Sequence, residues 1–184
     1  MSKGDTALLV IDMQVKLMPA IADHQRVSWN ARRLIDAAHC LGLPVVGTEQ
    51  YPRGLGPTIA TLADRLGERH EKTMFSCGEC AEVFHALGTR GVHKILVAGV
   101  EAHVCVLQTV LDLMTEGFDL YVAADAVGSR FPLDAQWALK RMDSSGASIT
   151  TTEAAMFEWC EVAGNAEFKQ ISALARESCP DTND

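Results

Sequence analysis

The sequence predicts a parallel β-sheet with α-helices packed on both of its faces. Stretches typical of strands and of helices alternate along the chain, as parallel sheets require, because a crossover helix joins each strand to the next. The strand-like stretches are continuous apolar runs, whereas a sheet with one wet face shows alternating polar and apolar residues. No repeat or low-complexity linker interrupts the 184 residues, so we expect a single domain, 1–184, with a polar tail after Glu177.

Six stretches have the composition of buried strands. The clearest is 93–100, whose last residues read Ile-Leu-Val-Ala-Gly-Val, and the first stretch ends in a carboxylate at Asp12. The weakest is 72–75, which fits either a strand end or a short extended piece. In chain order the stretches cover residues 6–12, 44–48, 72–75, 93–100, 120–125 and 147–152.

Apolar residues at helical spacing predict helices between these strands. In the stretch 28–40 they recur every three or four residues from Ala31 to Ala38, and Gly42 follows as a stop signal. A loop crowded with Gly and Pro occupies 49–57. In chain order the predicted helices cover 28–40, 58–66, 79–87, 103–115 and 132–142, and two more begin near 153 and 166.

The charge and the apolar content exclude several classes of protein. Sixteen Lys and Arg against 24 Asp and Glu give a net charge of −8, so the chain has no general attraction for nucleic acid or for an anionic membrane. No segment approaches the ~20 apolar residues of a membrane span, and the apolar run near the N-terminus is too short for a signal peptide. We therefore expect a cytoplasmic protein whose six cysteines are free thiols.

Chemically useful side chains follow the predicted strands. In a parallel sheet, ligands bind beyond the carboxyl ends of the strands, near the point where the strand order reverses. Asp12, Glu49 and Lys72 lie at or near three such ends, and the segment 99–105 joins the fourth strand to its helix. A carboxylate, an ammonium and the thiol of Cys105 at neighbouring strand ends would form an activated nucleophile with its own base.

Cys105 is the sharpest of these candidates. It lies in the first turn of a predicted helix, where the helix dipole and a nearby ammonium favour a thiolate and where free backbone N–H groups could bind an oxyanion. Position alone leaves open that Cys105 is only a buried small apolar residue. It also leaves open that Asp12 forms a turn or caps a helix, although a buried carboxylate is costly unless it is paired.

Three motifs resemble the isochorismatase-like cysteine hydrolases, the superfamily that includes nicotinamidases and N-carbamoylsarcosine amidohydrolases. Residues 10–14 (Val-Ile-Asp-Met-Gln) look like the family's opening strand, and 72–76 (Lys-Thr-Met-Phe-Ser) are similar to its lysine segment. Residues 99–105 (Gly-Val-Glu-Ala-His-Val-Cys) are similar to its nucleophile segment. The segment 48–52 (Thr-Glu-Gln-Tyr-Pro) looks most like the isochorismatase domain-containing subgroup.

The resemblance implies a three-layer α/β fold in which helices cover both faces of a six-stranded parallel sheet. It implies a catalytic triad of Asp12, Lys72 and Cys105 at the carboxyl edge of that sheet. It further implies a cis peptide between Val100 and Glu101, in a turn that directs the backbone N–H groups of Glu101 and Cys105 at a substrate oxygen.

Two departures from the family patterns narrow the expected activity. Nicotinamidases carry metal-binding histidines after the second strand, and the segment 48–53 of this chain has no histidine, so we expect no metal and no cofactor. Enzymes that hydrolyse isochorismate lack the nucleophilic cysteine, so Cys105 argues against that reaction. We therefore expect a metal-independent cysteine hydrolase that cleaves a small amide or related carbonyl compound through a thioester.

The resemblance also suggests what surrounds the triad. Glu49, Tyr51 and His103 are expected to line the substrate pocket, although a histidine at this place also fits a surface or capping role. Family members commonly form dimers or larger assemblies. We therefore expect a homo-oligomer that acts on a small-molecule substrate and binds neither nucleic acid nor membrane.

Two other functions compete with this interpretation. Cys77-Gly-Glu-Cys80 at the start of a helix has the arrangement of a thiol–disulfide redox site, although Ser76 stands where an aromatic residue usually precedes such a motif. The chain could also be a non-catalytic oligomeric scaffold that retains the triad without turnover. The hydrolase interpretation accounts for all three motifs in their order along the chain.

Overall fold

A single sheet of six parallel strands organises the computed structural model, which describes residues 1–179. The strands are β1 (Thr6–Ile11), β2 (Val45–Gln50), β3 (Arg69–Lys72), β4 (Lys94–Val100), β5 (Asp119–Gly128) and β6 (Ser148–Thr150). Their order across the sheet is β3-β2-β1-β4-β5-β6. The chain winds outward from β1 to β3 and then in the other direction from β4 to β6, so a crevice opens at the carboxyl ends of β1 and β4.

Helices cover both faces of this sheet, which confirms the predicted fold class. They are α1 (His24–Leu41), α2 (Pro52–Leu55), α3 (Ala60–Leu66), α4 (Ala81–Thr89), α5 (Leu107–Thr115), α6 (Pro132–Ser144), α7 (Thr152–Cys160) and α8 (Phe168–Ala175). The apolar cluster on one face contains side chains of α1, α3, α7 and α8, and the cluster on the other contains side chains of α4, α5 and α6. Within residues 1–179, every helix is too short or too polar to span a lipid bilayer.

The central strand β1 shows why its sequence is a continuous apolar run. All of its residues are buried, because both faces of the strand meet helices. Leu8 and Val10 belong to the cluster that includes α1, whereas Leu9 and Ile11 belong to the cluster that includes α5. Each such side chain contributes about 1.5–3 kcal/mol by its removal from water, so β1 is a main anchor of the fold and fixes the place where Asp12 emerges.

The structure differs from the predicted elements where the apolar pattern is weak. β3 ends at Lys72, whereas the sequence predicted a stretch that begins there. The strand was missed because this edge strand reads Arg-His-Glu-Lys and has no apolar pattern. α1 begins at His24, ahead of the predicted residue 28. Its first turn was missed because the residues there are largely polar. β5 extends to Gly128 beyond an irregularity in its pairing with β4. The polar tail predicted after Glu177 lies, from residue 180 onward, outside the described residues.

Candidate active site

The carboxyl edge of the sheet brings together the side chains of Asp12, Lys72 and Cys105. Asp12 directly follows β1, Lys72 is the last residue of β3, and Cys105 lies in a π-helical turn, Ala102–Val106, between β4 and α5. β1 and β4 are neighbours, so Asp12 and Cys105 meet in the crevice where the strand order reverses. β2 separates β3 from β1, and the long side chain of Lys72 spans this gap.

Asp12 is fully buried, and each of its carboxylate oxygens has a donor. Thr48 Oγ1 donates a hydrogen bond to Oδ1 at 2.7 Å, and Lys72 Nζ donates to Oδ2 at 2.7 Å. A buried carboxylate is costly unless it is paired and hydrogen-bonded, and these two donors offset that cost. The backbone of Asp12 is left-handed, with φ 53°, a conformation that Asp adopts more readily than most residues.

The Lys72 ammonium is enclosed by four oxygen atoms. Besides Asp12 Oδ2 they are Gln50 Oε1 at 2.6 Å, the Met74 carbonyl at 3.3 Å and the Phe75 carbonyl at 2.9 Å. Burial has the largest single effect and lowers the pKa of Lys72, but the charge of Asp12, the nearby thiols and the hydrogen bond to Asp12 together leave this pKa above its ordinary value. Lys72 is therefore a fixed positive charge beside the carboxylate rather than a solvated surface lysine.

Cys105 is buried, and its thiol holds its proton. Burial and the negative charge of Asp12 raise the pKa of this thiol to about 12, against the opposing charge of Lys72. Burial and Asp12 thus outweigh the effect of Lys72, which by itself would favour a thiolate. A protonated thiol needs a base at the moment of attack, and the carboxylate of Asp12 is near enough to Cys105 for its charge to raise the pKa of the thiol.

A required glycine and two hydrogen bonds to Glu101 fix the conformation of the turn that follows β4. The peptide bond between Val100 and Glu101 is cis. Gly99 has φ 125°, and a Cβ atom there would lie 2.2 Å from the backbone oxygen of Ile11, so glycine is required where β4 approaches β1. The Glu101 carboxylate accepts hydrogen bonds from the backbone N–H and the Nε of Arg130, at 3.0 and 3.1 Å. These contacts tie the turn to the segment that follows β5.

Comparison with known proteins places the chain in a family. A family model described as the Isochorismatase domain matches residues 6–154, which include Asp12, Lys72 and Cys105. The chain belongs to the isochorismatase family. Isochorismatase domain-containing protein 2 from Danio rerio is 37% identical to it over 183 residues, which cover 99% of this chain and 92% of the relative.

Solved structures related to this isochorismatase-family chain carry different names. The MAR1 ribonuclease from Caenorhabditis elegans has a TM-score of 0.90 and 39% identity, and the match covers 99% of this chain and 95% of that one. YcaC from Escherichia coli, an octameric hydrolase of unknown specificity, has a TM-score of 0.87 and 25% identity over 95% and 89% of the two chains. YcaC from Pseudomonas aeruginosa, solved with hexane-2,5-diol and covalent acrylamide, has a TM-score of 0.85 and 26% identity over 95% and 93%.

Glu49 of the isochorismatase-family chain, a predicted pocket residue, does not face the triad. It alternates along β2 with Thr48 and Gln50, so its side chain points to the opposite face of the sheet. Its Oε1 accepts hydrogen bonds from the backbone N–H and hydroxyl of Thr58, at 2.7 and 2.6 Å. Burial raises the pKa of Glu49, but the bonds from Thr58 and Arg69 outweigh burial and lower this pKa. The expectation is corrected: this carboxylate holds the loop that contains Thr58.

Tyr51 and His103, the other predicted pocket residues, lie on elements that adjoin the triad. Tyr51 follows β2 and lines an open depression of about 350 Å³ together with Lys72. His103 lies in the same π-helical turn as the thiol. Its Nδ1 is 3.0 Å from the hydroxyl oxygen of Ser129, and its Nε2 is 4.0 Å from a carboxylate oxygen of Asp134. The imidazole is therefore oriented by residues that follow β5.

The Cys77-Gly-Glu-Cys80 motif has the properties of structural thiols in this isochorismatase-family chain. It forms a 3₁₀ turn before α4, and both cysteines are free. Burial raises the pKa of Cys77 to about 12 and also raises the pKa of Cys80. Redox-active thiols of such motifs have a lowered pKa and an accessible sulfur. The geometry therefore does not favour the thiol–disulfide hypothesis.

The polar side chains that hold Asp12 and Lys72 had no role assigned to them from the sequence. Thr48 and Gln50 occupy alternate positions on one side of β2, and they bind Asp12 and Lys72 respectively. Gln14 fixes Gln50 in turn: its Oε1 accepts from the Gln50 backbone N–H at 2.8 Å, and its Nε2 donates to the Gln50 carbonyl at 3.0 Å. Two polar residues at a spacing of two in a buried strand were the available signal.

Proposed function

We propose that this chain is a cysteine hydrolase that cleaves a small amide or a related carbonyl compound without a metal. The observation that carries the proposal is the buried Asp12–Lys72 pair, at 2.7 Å, beside the protonated thiol of Cys105. A thiol with a pKa of about 12 is a weak nucleophile at neutral pH unless a neighbouring base takes its proton as it attacks. Asp12 is such a base, and Lys72 stabilises its negative charge.

In the proposed mechanism Asp12 accepts the thiol proton while the Cys105 sulfur attacks the carbonyl carbon. Protonated Asp12 then gives this proton to the leaving nitrogen as the C–N bond breaks, which releases an amine and leaves a thioester on Cys105. Asp12 next takes a proton from a water molecule whose oxygen attacks the thioester. When the tetrahedral adduct expels the Cys105 sulfur, that sulfur regains the proton from Asp12 and the acid product leaves.

The backbone N–H groups of Glu101 and Cys105 would stabilise the oxyanion of each tetrahedral adduct. The Glu101 carbonyl accepts hydrogen bonds from the N–H groups of Val104 and Val106, at 3.0 and 3.2 Å, so the π-helical turn is held rigidly against the cis peptide. Donors fixed before the reaction stabilise developing charge without reorganisation, by about 3–4 kcal/mol each.

Exposed apolar side chains beside the triad favour a small organic substrate. Tyr51, Met74 and Phe75 are each more than half exposed, at 54%, 57% and 53%, and Met74 and Phe75 directly supply carbonyl groups to Lys72. Ligand pockets are largely apolar with a few fixed polar groups. The covalent acrylamide in YcaC from Pseudomonas aeruginosa is in keeping with a reactive nucleophile in this family.

We further propose that the chain is a homo-oligomer, as the octameric YcaC from Escherichia coli is. Leu133 and Trp137 are one turn apart on α6 and are 63% and 58% exposed, and the preceding Phe131 is 64% exposed. Exposed apolar patches of this kind mark contacts between chains. Light scattering should show an assembly that Trp137→Lys weakens, and a monomeric wild-type chain would refute this assignment.

Two other functions compete with this proposal. One is RNA cleavage, which the name of the Caenorhabditis elegans relative suggests, and the other is a scaffold without turnover. A net charge of −8 opposes RNA binding, and all three N–H groups of Lys72 have acceptors within the protein. The test is a panel of small amides and RNA incubated with wild type, Cys105→Ala and, as a matched control, Cys179→Ala, which removes an exposed thiol.

We expect release of ammonia or an amine by wild type and Cys179→Ala, and none by Cys105→Ala. Cleavage of RNA that Cys105→Ala retains would favour the ribonuclease function. Labelling of Cys105 by an alkylating agent in the absence of any turnover would favour the scaffold. Full amide turnover by Cys105→Ala would refute the proposed nucleophile.

A further inference from the structure

A series of buried polar groups leads to Oδ1 of Asp12, the carboxylate oxygen that Lys72 does not bind. The Cys77 thiol donates to Thr48 Oγ1 at 3.7 Å, and the Thr48 hydroxyl donates to Asp12 Oδ1 at 2.7 Å. Cys77, Thr48 and Asp12 are all buried, with at most 1% of each residue exposed. The proposed mechanism uses neither Cys77 nor Thr48, so this series of hydrogen bonds needs an explanation of its own.

We propose that Thr48 is a positioning residue for Asp12, and that Cys77 sets the direction in which the Thr48 hydroxyl donates. This inference deepens the proposed function and rests on it. A hydroxyl has a single proton and two acceptor positions. When the Cys77 thiol donates into one acceptor position, the proton of the hydroxyl remains for the carboxylate of Asp12.

The protonation of Cys77 makes this direction possible. Burial raises the pKa of Cys77 to about 12, and the negative charge of Asp12 acts in the same direction. The thiol is therefore a donor at neutral pH rather than an acceptor that would compete with Asp12 for the Thr48 proton. The other titratable groups that interact with Asp12 are Lys72, Cys105 and Cys80.

Thr48 forms hydrogen bonds with Asp12 through both its backbone and its side chain. The Thr48 carbonyl accepts a hydrogen bond from the Asp12 backbone N–H at 3.2 Å, in addition to the bond from its hydroxyl to Oδ1. With Oδ1 held by Thr48 and Oδ2 held by Lys72, the carboxylate plane cannot rotate. This matters for catalysis because a displacement of about 1 Å in a reacting group costs on the order of 100-fold in rate.

Cys77 is itself placed by α5, the helix that follows the turn of the nucleophile. Its backbone N–H donates to Thr109 Oγ1 at 2.9 Å. Thr109 lies on α5, one turn after Cys105, and both are buried. These hydrogen bonds thus connect the base after β1 to the helix that follows the nucleophile.

The test is the pH profile of Cys105 alkylation by iodoacetamide, located by mass spectrometry in a Cys179→Ala background. Thr48→Val removes the donor and nearly keeps the shape. Since the ionised carboxylate of Asp12 then loses a stabilising hydrogen bond, we expect the acid limb of the profile to move up by about one to two pH units. Thr48→Ser and Cys77→Ser keep a hydroxyl donor and should retain the wild-type limb, and Cys77→Ala should show a smaller shift.

Asp12→Asn distinguishes a failure of this inference from a failure of the proposed function. If Asp12→Asn reacts like wild type at every pH, then Asp12 is not the base and the proposed function fails. If Asp12→Asn loses the acid limb while Thr48→Val keeps it, the function stands and the positioning role is refuted. A Thr48→Ser limb displaced as far as that of Thr48→Val also refutes it. Should Thr48→Val not fold, the Cys77→Ala and Cys77→Ser pair decides: identical wild-type limbs in both refute the role of Cys77.

Discussion

Lys72 Nζ lies 2.7 Å from Asp12 Oδ2 although a whole strand separates the backbones of the two residues. The Lys72 side chain is completely buried along this path, and it passes the amide oxygen of Gln50 at 2.6 Å. Removing two ions from water costs several kcal/mol each, and only good geometry with further hydrogen bonds offsets that cost. Each partner therefore depends on the other for a stable buried charge.

Lys72→Met should destabilise the fold by about 3–5 kcal/mol, because Asp12 would remain as an unpaired buried charge. The double variant Lys72→Met/Asp12→Asn should recover much of this loss. Urea unfolding measures both. Lys94→Met is the matched control, since Lys94 pairs with Asp5 at the surface and its loss should have a much smaller effect. If Lys72→Met and Lys94→Met lowered the free energy of unfolding equally, the buried pair of Asp12 and Lys72 would be contradicted.

Gly99→Ala should prevent correct folding or strongly lower stability. The added Cβ atom would lie 2.2 Å from the Ile11 backbone oxygen at a φ of 125°, so β4 could not stay paired with β1. Gly88→Ala on α4 is the control, because a Cβ there meets nothing within 4 Å and alanine favours a helix by up to about 1 kcal/mol. Thermal unfolding should show opposite shifts, and a wild-type melting temperature for Gly99→Ala would be incompatible with the described turn.

Alkaline pH should destabilise the protein through its buried thiols. Burial raises the pKa of both Cys77 and Cys105 from the ordinary 9.0 to about 12. Above pH 9 the unfolded chain loses these protons while the folded chain keeps them, so the free energy of unfolding falls as pH rises towards 12. The slope is about 1.4 kcal/mol per pH unit for each thiol. Urea titrations of Cys77→Ala and Cys105→Ala should give flatter profiles than Cys179→Ala, and parallel profiles would speak against buried protonated thiols.

Glu49→Gln should weaken the fold without changing the reactivity of Cys105. The hydrogen bonds from Thr58 and Arg69 hold the pKa of Glu49 below its ordinary 4.5. The carboxylate therefore stabilises the fold above that pH, and the contribution disappears as pH falls through the folded value. The free energies of unfolding of wild type and variant should differ more at pH 7 than at pH 3. Slower alkylation of Cys105 in the variant would indicate that Glu49 contributes to the substrate pocket after all.

Chelators should leave hydrolysis intact. Within residues 1–179, no three side chains of His, Cys, Asp or Glu converge in a way that could hold a metal ion, and the proposed steps use Asp12, Lys72 and Cys105 alone. Activity should survive prolonged treatment with EDTA and be lost with iodoacetamide. Activity that EDTA removes and added zinc restores would show that a metal takes part.

Apolar runs were enough to predict the sheet, because a strand covered by helices on both faces has no polar side to show, as β1 illustrates. They also led to the triad, since Asp12 and Cys105 follow two such runs and strand ends meet at one edge. β3 was placed too late along the chain because an edge strand of charged residues has no apolar pattern. Lys72 was nevertheless a candidate from its place near this predicted stretch, and the family motif supported it.

The state of the thiol was not predictable in the same way. A helix N-terminus and a lysine lower the pKa of a thiol, while burial and a carboxylate raise it, and the sequence shows none of the distances that decide between them. Thr48 is a similar case. Its role depends on a 2.7 Å contact with Asp12 and a 3.7 Å contact with Cys77, and these partners lie 36 and 29 positions away along the chain.

The central position of β1 has a consequence for how the protein is made. Asp12 leaves the ribosome before its cationic partner, which arrives with β3, and before the thiol, which follows β4. The carboxylate therefore lacks an ammonium to bind until β3 has been made, and it lacks the neighbouring thiol until β4 is in place. A nascent or half-folded chain holds these side chains apart, and they come together only when the strands from β1 to β4 have paired.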